Sequence, residues 1–146
     1  MFTRAGAGDR LVDRYFWSGH ANPWSVWAFV AAYLTLVLAI YRRNRTLLTE
    51  VLPLVAINPL VAPEPADDSA WATRVVFGER IWLEQGTLRS TNTLFTAASA
   101  PVFLFMLKSA VERRSLRTGV GTVASIVLML AFFRRMARLY ETQTDR

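Results

Sequence analysis

The chain contains no cysteine, so it can form neither disulfides nor thiolate metal sites of its own, and this absence says nothing about compartment. Histidine occurs once, at His20. Membrane di-iron and zinc enzymes need several histidines at fixed spacing, which one residue cannot supply. Of the 17 basic residues, 16 are arginine, and charged residues make up 19% of the chain, below the roughly 25% of a soluble domain. There is no low-complexity segment and no internal repeat. A cleavable leader is not expected, because the first apolar run begins near residue 24, after three arginines and two aspartates, and no small-residue cleavage pattern follows it.

Long uncharged runs are what the chain does have. Val26 to Ile40 carries no charge, and neither does Val120 to Phe133. Runs with no polar face cannot be surface helices of a soluble bundle. They suit lipid. The net charge of +6 raises nucleic acid as a partner, but the arginines flank apolar runs and do not cover one face. Anionic headgroups account for them better, and no nucleic-acid partner is expected.

Four spans follow, at about 24–41, 46–62, 93–111 and 119–136. Asn22-Pro23 opens the first, with Asn as N-cap and Pro at the first helical position. Trp24 and Trp27 belt one interface and Tyr41 the other. Arg42-Arg43-Asn44-Arg45 is a tight turn into the second span, which Glu50 and Pro53 interrupt and Pro63 and Pro65 finish. Lys108 closes the third span, where it can snorkel. Two further segments, about 10–17 and 69–86, read as short amphipathic helices in the interface, the first stopped by Gly19. The expected fold is all-α: one membrane domain of four transmembrane helices in two hairpins plus two interfacial helices.

Four spans place the N-terminus, the 64–92 connection and the C-terminus on one membrane face and the two turns on the other. Seven basic residues lie at the turns (Arg42, Arg43, Arg45, Lys108, Arg113, Arg114, Arg117). Counted near span ends they favour a cytoplasmic turn face, although Arg134, Arg135 and Arg138 argue the other way. The same parity brings His20, Asn22, Arg74, Glu79 and Glu84 to the opposite face, with Asn58 about 5–6 Å inside it.

His20, with Asn22, Glu79 and Glu84, could make a metal site or an acid–base pair. The plainer reading is an interfacial histidine bonded to backbone or headgroup. Arg74 and Glu79 could clamp a phosphate and act as base on a lipid headgroup. Five residues apart on one helix, however, they point about 140° apart, and interface anchoring explains them equally. Asn22 reads as a cap, Asn58 as an amide bonding a neighbouring helix or the carbonyl freed by Pro59. Asn22, Asn58 and Glu84 are thus expected to form a structural polar cluster, and His20, Arg74 and Glu79 are the catalytic candidates. Glu50 lies too near the surface for a proton-coupled transporter. Small residues at Gly119, Gly121 and Ser125, and at Ala97, Ala98 and Ala100, suit close packing of the last two spans. The amphipathic 69–86 segment is expected to fold back over the bundle end. That places Trp71 or Trp82 on Trp24 or Trp27, and Arg74 or Glu79 near His20.

The motifs H-A-N-P-W-S-V-W at 20–27, N-P at 58–59 and W-A-T-R-V-V-F-G-E-R-I-W at 71–82 together resemble a family of small prokaryotic membrane proteins described as a domain of unknown function. The resemblance rests on roughly residues 10–90 and implies a membrane location. It brings no activity, cofactor or catalytic residue with it. A non-enzymatic protein of the cell membrane is therefore expected, multi-pass and without cofactor or metal, acting on membrane-protein partners or as a homo-oligomer. A membrane-interface enzyme for a lipid-like substrate is the alternative, and a small transporter the third reading.

Overall fold

A computed structural model describes residues 16–85 and 90–145. Among these residues the regular structure is all helical, without strands, in six helices: α1 (Ser18–His20), α2 (Pro23–Arg42), α3 (Arg45–Val61), α4 (Trp71–Glu84), α5 (Thr91–Val111) and α6 (Ser115–Thr144). Most of the interfacial helix expected over 10–17 lies outside the described residues. Gly19, expected as its stop, is instead inside α1, where its bare Cα lies against the carbonyls of Pro59 and Ala62.

The helix starts follow from local chemistry. Asn22 caps α2 by accepting from Trp24 N–H at 2.9 Å, with Pro23 at the first helical position. Asn44 caps α3 through Leu47 N–H at 3.0 Å, and Ser90 caps α5 through Thr93 N–H at 3.2 Å. Each cap satisfies a donor that has no partner within its helix. Two tight turns join α2 to α3 and α5 to α6. Both close on an arginine in the left-handed region, Arg43 at φ 54° and Arg113 at φ 56°. At each, the next residue's N–H bonds back into the last helical turn, Asn44 to Ala39 O and Arg114 to Ser109 O, both at 2.9 Å. This is how helices commonly end, but glycine ordinarily takes the left-handed position.

Three helices, α2, α5 and α6, are long and apolar enough to cross a membrane. The segment expected as second span is α3, whose 17 residues measure about 25 Å against about 30 Å of hydrocarbon. Its apolar side chains still face outward, with Leu52, Leu54, Ile57 and Leu60 each at least half exposed. The helix that contains the expected 119–136 span is longer than the span. It starts at Ser115 and runs 30 residues, about 45 Å, well past the thickness of a bilayer core.

The surplus length of α6 is covered by α4. Val75, Met136 and Ala137 are buried together, flanked by Trp71, Trp82, Phe132 and Phe133. A second cluster joins Ala21, Val26, Ala72 and Val76 under Trp17, Phe77 and Phe133. Trp71 touches Phe133 and Trp82 touches Phe132, at 6.3 and 5.6 Å between ring centres. Arg74 meets Glu141, Gly78 lies against Met136 and Trp82 touches Phe132, so α4 runs antiparallel alongside α6. Midway along this contact, Gly78 lies against the backbone carbonyl of Met136, where any Cβ would collide. The largest fully buried apolar side chains, Val75, Val76 and Met136, therefore gather at one end of the bundle.

Candidate functional site

That end is where the sequence placed its polar candidates. The described part of the 69–86 segment, 69–85, folds back onto the H-A-N-P-W-S stretch, where Ala21 packs with Ala72 and Val76; Trp27 stacks on Trp71 at 6.2 Å and 28°, while Trp24 stays 77% exposed. His20 Nε2 lies 3.7 Å from Glu79 Oε2, with the two side chains 18% and 20% exposed. Three rings surround the imidazole. Phe16 stacks on it at 5.5 Å, Phe29 meets it edge-on at 5.1 Å, and Trp17 tilts against it at 6.3 Å. His20 Nδ1 is buried without a hydrogen-bond partner. The pair has the groups for proton transfer. Its surroundings leave little room for a substrate, and neither residue lines any of the principal clefts.

Arg74 is drawn elsewhere. Its Nη1 donates to Glu141 Oε1 at 2.8 Å, and its Nη2 reaches Ser69 O at 3.4 Å. Helix α4 continues unbroken through Gly78, so Arg74 and Glu79 stay on different sides of it. Arg74 thus braces α4 against α6, while Glu79 faces α1. Glu84 stands apart from both, paired with Arg80 at 2.8 Å and 62% exposed.

The two asparagines join the start of α2 to the end of α3. Asn22 Nδ2 donates to Pro63 O at 2.9 Å. Asn58 Nδ2 donates to Ser25 O at 3.0 Å and to Ser25 Oγ at 2.8 Å, in a buried setting. Ahead of α4, Asp67 accepts from Ser69 N–H at 2.9 Å and also from its hydroxyl, which holds the Asp67 carboxyl below its ordinary value. Asp68 accepts from Tyr140 O–H at 2.8 Å, adding a second tie to α6. Among the described residues no group of three or more His, Asp or Glu side chains is placed to hold a metal ion.

Several partners were not foreseen. Ser25 lies three residues after the Asn22 cap, on the face Asn58 meets, and its spacing from the cap was an available signal. Tyr140 and Glu141 lie beyond the arginines that marked the expected end of the last span. Trp82 Nε1 donates to Ser90 Oγ at 2.9 Å. Arg135 donates to Asn92 Oδ1 at 2.8 Å and lies over the Phe95 ring at 5.3 Å.

Residues 11–145 match a family of unknown function, DUF6653, and the chain belongs to it. The match takes in α5 and α6 as well as the three motifs, so it reaches beyond the 10–90 stretch that carried the resemblance. No curated protein and no solved structure matches the chain.

Proposed function

We propose that this member of DUF6653 is a four-span protein of the cell membrane that acts by contact with other membrane components and not by catalysis. Helices α2, α5 and α6 have the length and hydropathy for the role. Helix α3 follows α2 through a turn of two residues and exposes apolar side chains along its length. If α2 crosses, the polar Glu64–Ser69 stretch after α3 must return to water, because irregular backbone is not tolerated against lipid. Four crossings put the turns on one face and the α1–α4 assembly on the other, and the seven basic residues at the turns favour the cytoplasm for the former.

The observation that carries the non-catalytic reading is the division of the candidates into separate internal ties. His20 faces Glu79, and Arg74 is committed to Glu141. Catalysis on a headgroup would need the three to converge on one cavity. The partners are then the bilayer and either another membrane protein or a second copy. The double variant His20→Phe, Glu79→Leu tests the reading, since it removes both titratable groups and keeps the site filled. A host lacking the wild-type chain should behave alike with the variant and with wild type. A variant that folds and inserts normally but behaves like the deletion would overturn the proposal.

The second reading, an interfacial enzyme on a lipid-like substrate, is favoured by one feature: an imidazole and a carboxylate facing one another at 3.7 Å beside an unpartnered Nδ1. The same variant decides between the two.

A further inference from the structure

At the turn face, α2 and α6 part and leave a cleft of about 260 Å³. Leu34, Val37, Leu38 and Tyr41 form its α2 wall; Ser115, Thr118 and Thr122 form its α6 wall. The helices run in opposite directions, so depth can be read from the sequence. Tyr41 and Ser115 stand at the mouth, Thr118 lies level with Leu38, and Thr122 lies level with Leu34. Above them Tyr33 O–H and Ser125 Oγ meet at 2.5 Å and close the cleft. Ser125 gives its own proton to Thr122 O at 2.8 Å, so Tyr33 is the donor. From Ser115 to Ser125 is about 15 Å along the helix.

One wall is apolar and the other is a row of hydroxyls. Thr122 is satisfied, donating to Thr118 O at 2.7 Å. Thr118 is not: the residue is 7% exposed, and its Oγ1 has no hydrogen-bond partner. The mouth is electropositive. Helix α6 begins there with no side-chain cap and no acidic residue in its first turn, so free N–H groups and the positive end of the helix dipole face outward. Glu112 neutralises Arg114 at 2.8 Å and approaches Lys108 at 3.9 Å. Arg42 and Arg117 are exposed and have no ion pair among the described residues.

We infer that this cleft binds one glycerophospholipid with a negatively charged headgroup. The inference rests on the membrane placement proposed above. The phosphate would sit at the start of α6, against its N–H groups and Ser115, with Arg42 and Arg117 beside it. An ester carbonyl of the glycerol backbone lies just below a lipid phosphate, at the level of Thr118, whose hydroxyl would donate to it. The acyl chain would continue along Leu34, Val37 and Leu38. A free phosphate ion would use the mouth but leave Thr118 and the apolar wall unused.

Thr118→Val gives a discriminating test because it keeps shape and charge. Removing a buried hydroxyl that has no partner should leave the lipid-free protein at least as heat-stable as wild type. The probes are phosphatidylglycerol and phosphatidylcholine of equal chain length, titrated onto detergent-purified protein and read by native mass spectrometry. The first phosphatidylglycerol should bind about tenfold more tightly than the first phosphatidylcholine, a difference within reach of charge-assisted contacts. Thr118→Val should lower that first affinity about fivefold, the scale of one hydrogen bond, and leave later adducts unchanged. Equal binding of the two lipids by wild type would overturn the headgroup assignment. An undiminished first phosphatidylglycerol affinity in Thr118→Val would reduce the effect to diffuse surface charge and overturn the site. Inorganic phosphate competing as well as the lipid would overturn the lipid in favour of the ion. A chain that stays in solution without detergent would sink the membrane reading itself, a result visible before any lipid is added.

Discussion

Asn58 sits in a helix between two prolines, at a position where a leucine would fit the local pattern. Its amide instead bonds both oxygens of Ser25, on a different helix. Because the group is buried, removing it leaves Ser25 short of a partner as well. Asn58→Leu should therefore destabilise the protein by about 1–3 kcal/mol, measured as a shift in denaturant midpoint in detergent. Asn22 plays a double part, accepting from Trp24 N–H and donating to Pro63 O. Asn22→Asp keeps the first bond and loses the second; Asn22→Leu loses both. The expected order of stability is Asn above Asp above Leu, in steps of about 1 kcal/mol. If Asp equals Asn, the bond to Pro63 contributes nothing and capping alone explains the residue. The cap was legible in the sequence, because N-P before an apolar run has a local cause. The bonds to Pro63 and Ser25 were not, because they depend on how two helices meet.

Helix α4 shows the same division at greater length. Its amphipathic pattern and its return to the 20–27 segment followed from chain order. That α6 would be its main support did not follow. Arg134 and Arg135 read as the end of the last span, but the helix itself carries on past them to Thr144 as a post for α4. Arg135 reaches back to Asn92 and Phe95, so the charge that ended the apolar run is itself part of the packing. The close packing on α6 is tested by Gly78→Ala, whose methyl group would strike the Met136 carbonyl. The expected loss is about 1–3 kcal/mol, as for other overpacked contacts, with faster protease cleavage within 62–90. Unchanged cleavage would mean that the helices are not that close. The Arg74–Glu141 pair should matter less. Its side chains are 32% and 44% exposed, and solvent screens such pairs to below about 1 kcal/mol. A double-mutant cycle with Arg74→Gln and Glu141→Gln measures that coupling, and a value well above 1 kcal/mol would make the pair a principal support.

For the molecule as a whole, the number of crossings decides everything about sidedness. The chain has no cysteine of its own, so each introduced thiol can be read without background. Cysteines replacing Ala7 and Thr144 should label from the same side of sealed vesicles, and one replacing Arg43 from the other. If residues 7 and 144 label from opposite sides, α3 does not cross and the chain has an odd number of spans. The sequence made the even count plausible through hydropathy alone. Helix α3 has 17 residues, as does the expected 46–62 span, so its fit to a bilayer is what the labelling decides.

The gathering of the largest buried apolar side chains at one end has a mechanical consequence. Pulling α2 away from α6 at that end must unstack Trp27 from Trp71 and Trp71 from Phe133. Halfway along α2, the bond from Tyr33 to Ser125 holds the same two helices, and from there to the turn face they are already apart. The pair is therefore stiff at one end and compliant at the other, like tweezers held at the joint. Lateral tension or thinning of the bilayer would be taken up first by the open end, in one leaflet only.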